Sequence, residues 1–175
     1  MGSGSEGPLL SQDFFDAIPE VVSDMAADTL AEVITFSRER ASATAKPIPE
    51  KIRRALSPYF DPAVLDRVRW TTDWSASERV TLYRLIMANE NVQAVTLDDI
   101  IVFREQRGAE DLMLWSHELK HVEQYGRWGI RQFAANYLLD HRRVEQEADD
   151  HAVAVYRTLI RKHYDLRPSE RPPLP

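Results

Sequence analysis

The chain has 175 residues, 43% of them apolar and 29% charged, with a formal net charge of −6 and a pI near 5.4. That composition fits a soluble globular domain with a sizeable core, and the acidic balance argues against a nucleic-acid-binding surface. Cysteine is absent, so disulfides are excluded and any metal must be held by histidine and carboxylate.

No apolar run approaches the roughly eighteen residues that span a bilayer, so no membrane span is expected. The opening, Met1-Gly2-Ser3-Gly4-Ser5-Glu6-Gly7, lacks both the basic and the apolar stretch of a leader, and Glu6 breaks the myristoylation pattern. It reads as an added Gly/Ser segment. If a leader once preceded it, a secreted or periplasmic address stays open, and the compartment is otherwise unknown.

In chain order, residues 1–46 read as a flexible start and a helical arm, the arm running from Ser11 to about Ala43 with a restart near Pro19. Leu30, Val33, Ile34 and Phe36 give the arm a modest apolar stripe, suited to packing on the body or to recruiting a protein partner. Lys46-Pro47-Ile48-Pro49 reads as a break, and residues 47–166 as the main domain. A short helix is expected at about 49–57, and another opens at Asp61-Pro62, an N-cap followed by proline at the first helical position.

Arg67 to Thr72 suits a short strand, and Ser75 or Ser77 caps a helix carrying Val80, Leu82, Leu85 and Ile86. Val92 to Leu97 and Ile100 to Arg104 form a hairpin around Asp98-Asp99. A helix then starts near Ala109 and stops at Gly126, a shorter one spans about 129–138, and a last one runs from roughly Asp140 to His163. Residues 167–175, with four prolines, read as a disordered tail. The fold class expected is α+β and predominantly helical, with a small antiparallel sheet beside the helix of residues 109–126.

That helix contains His117-Glu118-Leu119-Lys120-His121. With 3.6 residues per turn, His117 and His121 stack on one face and can grip a zinc ion, with Glu118 placed to take a proton from a water on it. With five histidines in the chain, such a pentapeptide arises by chance in about 1% of comparable sequences. The surroundings strengthen the metal reading: Leu112, Trp115, Leu119 and Val122 make one stripe, while Leu114, His117, Glu118, His121 and Tyr125 cluster on another.

A catalytic zinc site usually has three protein ligands. The metzincin extension fails, because Gln124 and Arg127 stand where Gly and His are needed. Glu145 and Glu147 compete for the third place, about 200° apart on a helix. Glu145 is preferred, since small Ala148 shares its face and Asp149, one turn along, can accept a hydrogen bond from a ligating histidine. His141 reads as a surface residue at a helix start, with outer donor or substitute ligand as alternatives; His151 reads as structural or exposed, and His163 carries no assigned chemistry.

HExxH on one helix and Glu145-Gln146-Glu147-Ala148-Asp149 on a later one resemble the gluzincin branch of zinc metallopeptidases. The string Ser116-His117-Glu118-Leu119-Lys120-His121-Val122-Glu123-Gln124 resembles more specifically the small bacterial HELxHVxQ domains of secreted or toxin-like proteins and extracellular contractile injection systems. Ile100-Ile101-Val102-Phe103 and Tyr125-Gly126-Arg127-Trp128-Gly129 fit that pattern too, although Tyr125 replaces a frequent second Gln. The likeness covers about residues 67–152.

This resemblance implies a zincin-like fold with Zn2+ held by His117, His121 and Glu145, Glu118 as catalytic general base, and Asp149 as orienter. It supports zinc binding better than proteolysis. The leading expectation is a zinc metallopeptidase acting on a peptide or protein, with Ile100 to Arg104 as an edge strand that peptides could extend. The oxyanion donor is left open among Tyr125, Tyr137, Tyr156 and His151. The alternative is a catalytically silent zincin-like binding or scaffold module of a toxin or injection system; a weaker third is a helical interaction protein with an accidental motif.

Overall fold

A computed structural model describes residues 23–73 and 89–165. The readings for residues 1–22, for the helix capped by Ser75 or Ser77, and for the 167–175 tail lie outside the described residues. The elements are α1 (Ser23–Ser42), β1 (Lys46–Pro47), α2 (Glu50–Leu56), α3 (Pro62–Arg67), β2 (Arg69–Thr71), β3 (Ala94–Leu97), β4 (Ile100–Phe103) and α4 (Leu112–Asp165). The fold is α+β and mostly helical, and no helix among the described residues is long and apolar enough to cross a membrane.

Local chemistry explains most of the boundaries. The Asp61 side chain accepts from Ala63 N at 2.7 Å and Pro62 occupies the first turn, so α3 starts as its sequence dictates. Asp111 caps α4 by accepting from Met113 N and Leu114 N at 2.8 and 3.1 Å. The β3–β4 hairpin closes through Asp98 at φ 60°, a left-handed conformation that Asp tolerates at the first position of a tight hairpin turn.

The sheet order is β1-β2-β4-β3, with β2 parallel to β4 and the other two pairings antiparallel. The sheet is thus mixed, not antiparallel as expected, because Arg69 pairs with Ile100 across a long connection rather than a hairpin. It also makes β4 an interior strand. The expectation that Ile100 to Arg104 forms a free edge is therefore wrong, since β2 and β3 occupy both of its sides. The strand beyond it, nearest the HExxH helix, is β3. Lys46-Pro47, read as a break, forms the outer strand β1.

Alternation along β4 covers both sheet faces. Ile101 and Phe103 join Trp70, Leu56, Leu65, Trp115, Leu119 and Val122 in one core, while Ile100 and Val102 join Val95, Leu97 and Ala41 in a second. A third cluster, including Ile34, Tyr125, Phe133, Ala134, Tyr137 and Val144, seals α1 against α4. Arg38 of α1 also grips the hairpin turn, donating from Nε and Nη2 to the two carboxylate oxygens of Asp99 at 2.7 and 2.9 Å.

Helix α4 is interrupted at Gly129 (φ 76°, ψ 164°) and Asp140 (φ −155°, ψ 68°), giving segments of 112–128, 130–139 and 141–165. The expected stop at Gly126 is corrected by this: the glycine-only backbone lies three residues later. Gly126 serves a close approach instead. A Cβ there would meet the Arg67 guanidinium at 2.9 Å, and that group donates to Val122 O at 2.6 Å. Asp140 caps the last segment by accepting from Arg143 N at 3.1 Å.

A Cβ at Gly129 would meet nothing among the described residues within 4 Å, so it is the backbone angles that demand glycine. Gly129→Ala is expected to cost about 1–3 kcal/mol of stability through strain in a region other residues avoid. Urea unfolding of the metal-free protein checks this, and an unchanged midpoint would contradict the assigned role.

Candidate metal centre

The two reversals of α4 fold its last segment back beside its first. His117 Nε2 and His121 Nε2 lie 3.0 Å apart, and Glu145 Oε2 lies 3.3 Å from the first and 3.6 Å from the second. These are the three residues among those described whose ligand atoms come within 4.8 Å of one another in a group able to hold a metal ion. His121 is buried, whereas the His117 and Glu145 side chains keep 12% and 20% exposure, leaving the centre a side open to solvent.

The second nitrogen of each ring is already engaged. His117 Nδ1 lies 2.9 Å from Asp149 Oδ1, and His121 Nδ1 lies 2.8 Å from Gln124 Oε1. Both partners are acceptors, so in the neutral rings the proton sits on Nδ1 and the Nε2 lone pairs face each other and a carboxylate oxygen. Three converging lone-pair donors repel unless a cation or proton lies between them. The second Glu145 oxygen, Oε1, is buried and has no hydrogen-bond partner among the described residues.

Spacing fits the same conclusion. Ligands about 2.1 Å from a tetrahedral ion stand about 3.4 Å apart, and the three observed separations of 3.0, 3.3 and 3.6 Å bracket that value. Two imidazoles and one carboxylate make a donor set suited to a divalent transition ion.

Burial disfavours charge on His117, but hydrogen bonds to Asp149 and Glu145 outweigh it and raise the imidazole well above its ordinary value. His121 is raised against its burial mainly by the charge of Glu145. Burial alone would push Glu145 up; the two histidines pull it far below the usual carboxylate range.

Glu147 is committed elsewhere. It pairs with Arg127 at 2.8 Å and Lys120 at 3.5 Å, and the Arg127 hydrogen bonds help hold its carboxyl down at about 2. Glu118 is buried beside the histidines, and its Oε2 accepts from Thr96 Oγ1 at 2.6 Å. Thr96 belongs to β3, so the sheet edge reaches the pentapeptide directly.

His141 is buried at 5% exposure against Tyr137, not a surface residue, and stands outside the ligand group. His151 lies edge-on to Phe60, with ring centroids 4.9 Å apart. Tyr125 stacks on Phe133 at 3.7 Å, its hydroxyl 3.4 Å from Thr96 O and kept neutral chiefly by burial.

Sequence reasoning missed two groups, Thr96 and the bridging role of Gln124. A glutamine one turn after the second histidine, on the same face, is a signal that could have revealed the latter.

Residues 47–129 match the family model described as the eCIS core domain. The match covers just under half of the chain; it includes His117, Glu118 and His121 and ends before Glu145. No curated protein and no solved structure matches the chain at the same standard. The segment carrying both histidines is thereby linked to extracellular contractile injection systems.

Proposed function

We propose that the chain binds one zinc ion through His117, His121 and Glu145 and serves an extracellular contractile injection system as a protein-binding or scaffold module. The observation supporting the ion is the facing of two Nε2 atoms and Glu145 Oε2 while both Nδ1 atoms are occupied. Zinc suits a set of two imidazoles and one carboxylate with no thiolate. The match over residues 47–129 supports the injection-system role. In this reading the ion ties the first and last segments of α4 together, stiffening the face beside β3.

Glu118 favours a second reading, peptide-bond hydrolysis. A purely structural zinc site is normally closed by four protein ligands, whereas three ligands with a neighbouring carboxylate are the pattern of catalytic sites. When bound, zinc would polarise a carbonyl and acidify water. Glu118 would take the proton and pass it to the leaving amine, with the Thr96 hydroxyl holding its carboxylate in place.

Protein purified without chelators is expected to carry one zinc per chain by elemental analysis, and Glu145→Ala to bind it at least about tenfold more weakly. Metal-free wild-type protein would overturn the zinc reading. Peptide libraries then separate the two roles. Hydrolysis that drops about 10²–10⁴-fold in Glu118→Gln with zinc retained establishes the peptidase; zinc retention without any turnover favours the scaffold.

A pH dependence follows from the shifted groups. The histidines contribute stability below their ordinary 6.5, lost as pH rises through their raised folded values. Glu145 contributes above its ordinary 4.5, lost as pH falls through its lowered folded value. Under chelation, thermal melts should therefore give the highest Tm between about pH 4.5 and 6.5 from this cluster. Zinc displaces the histidine protons, so binding should tighten with rising pH and release protons, measured by calorimetry in buffers of different ionisation enthalpy. Zinc binding without proton release would contradict the protonated centre.

A further inference from the structure

We infer that Gln124 is the positioning residue that sets the tautomer of His121, and through it the metal affinity of the centre; this rests on the zinc reading above. Gln124 is fully buried, with 0% exposure. Its amide orientation is dictated by its neighbours: Nε2 has two acceptors, Val144 O at 3.0 Å and Glu147 Oε2 at 3.1 Å. Its Oε1 is therefore left to accept from His121 Nδ1 at 2.8 Å. A protonated Nδ1 leaves the lone pair on Nε2, the atom that faces His117 and Glu145.

The same side chain joins the two halves of the ligand set. Val144 precedes Glu145 in the chain, so the bond from Gln124 to Val144 O fixes the backbone carrying the third ligand against the helix carrying the first two. Glu147 is in turn held by Arg127 and Lys120, which keeps its carboxylate aimed at the Gln124 amide. His117 has a different partner, the half-exposed carboxylate of Asp149. The buried histidine thus depends on a neutral amide, and the more accessible one on a charged group.

Two substitutions divide the roles. Gln124→Met keeps the volume and removes the acceptor; Gln124→Glu keeps an acceptor for Nδ1 while losing the donor to Val144 O and adding charge beside Glu147. Affinity for zinc by competition titration, and the visible spectrum of the Co2+ form, are compared with the Tm of each chelated variant. Expected is about 10–100-fold weaker binding with a changed Co2+ spectrum in Gln124→Met. Gln124→Glu, which keeps the acceptor for Nδ1 but loses the tie to Val144 O, should bind more tightly than Gln124→Met even where its Tm is the lower of the two.

Wild-type affinity in Gln124→Met, or loss of affinity in both variants in step with their Tm, overturns the inference and leaves the zinc reading standing. Absence of metal binding in the wild type removes both. Should Gln124→Met fail to fold, imidazole ¹⁵N spectra of zinc-loaded wild-type protein decide: His121 must be protonated on Nδ1 and metal-bound through Nε2, and the opposite assignment overturns the proposal.

Discussion

The centre exists because the backbone abandons helical geometry at Gly129 and again at Asp140. Had α4 run straight, the 28 residues from His117 to Glu145 would have put them about 42 Å apart at 1.5 Å per residue; they stand 3.3 Å apart instead. A single glycine at positive φ makes the first reversal, and an aspartate that caps the next turn makes the second. Burial then holds the returning segment in place, through Phe133, Ala134, Tyr137 and Val144 packed with Tyr125 and Ile34.

Electrostatics selects which carboxylate returns to the histidines. Of the two candidates, Glu147 faces Arg127 and Lys120, two cations that satisfy it at the protein surface. Among the described residues, Glu145 has no cation beyond the imidazoles themselves, and one of its buried oxygens has no hydrogen bond. An unpaired buried carboxylate is costly, and the two imidazoles beside Glu145 are the groups that offset that cost.

Much of this arrangement was legible from local pattern. Asp61-Pro62 as a helix start, the Asp98-Asp99 turn, the core stripe of Trp115, Leu119 and Val122, and the pairing of His117 with His121 all follow from periods and caps that act over a few residues. Long-range facts were not. The parallel pairing of Arg69 with Ile100 leaves no mark on either strand's own alternation, which is why β4 looked like an edge. Gly126 and Gly129 read alike as letters, yet one makes room for Arg67 and the other supplies a positive φ. His141 looked exposed because it stands at a helix start, but the helix begins inside the third cluster, beside Val144.

The clasp between Arg38 and Asp99 has a consequence for how the N-terminal helix should be regarded. Helix α1 contributes Ala41 to one core and Ile34 to another, and it fastens the hairpin whose β3 strand carries Thr96 to Glu118. A shortened chain beginning at residue 47 would retain every side chain of the candidate metal centre while losing a wall of the building that holds them. The family match also begins there, so the portion that similarity delineates is smaller than the portion that folds together.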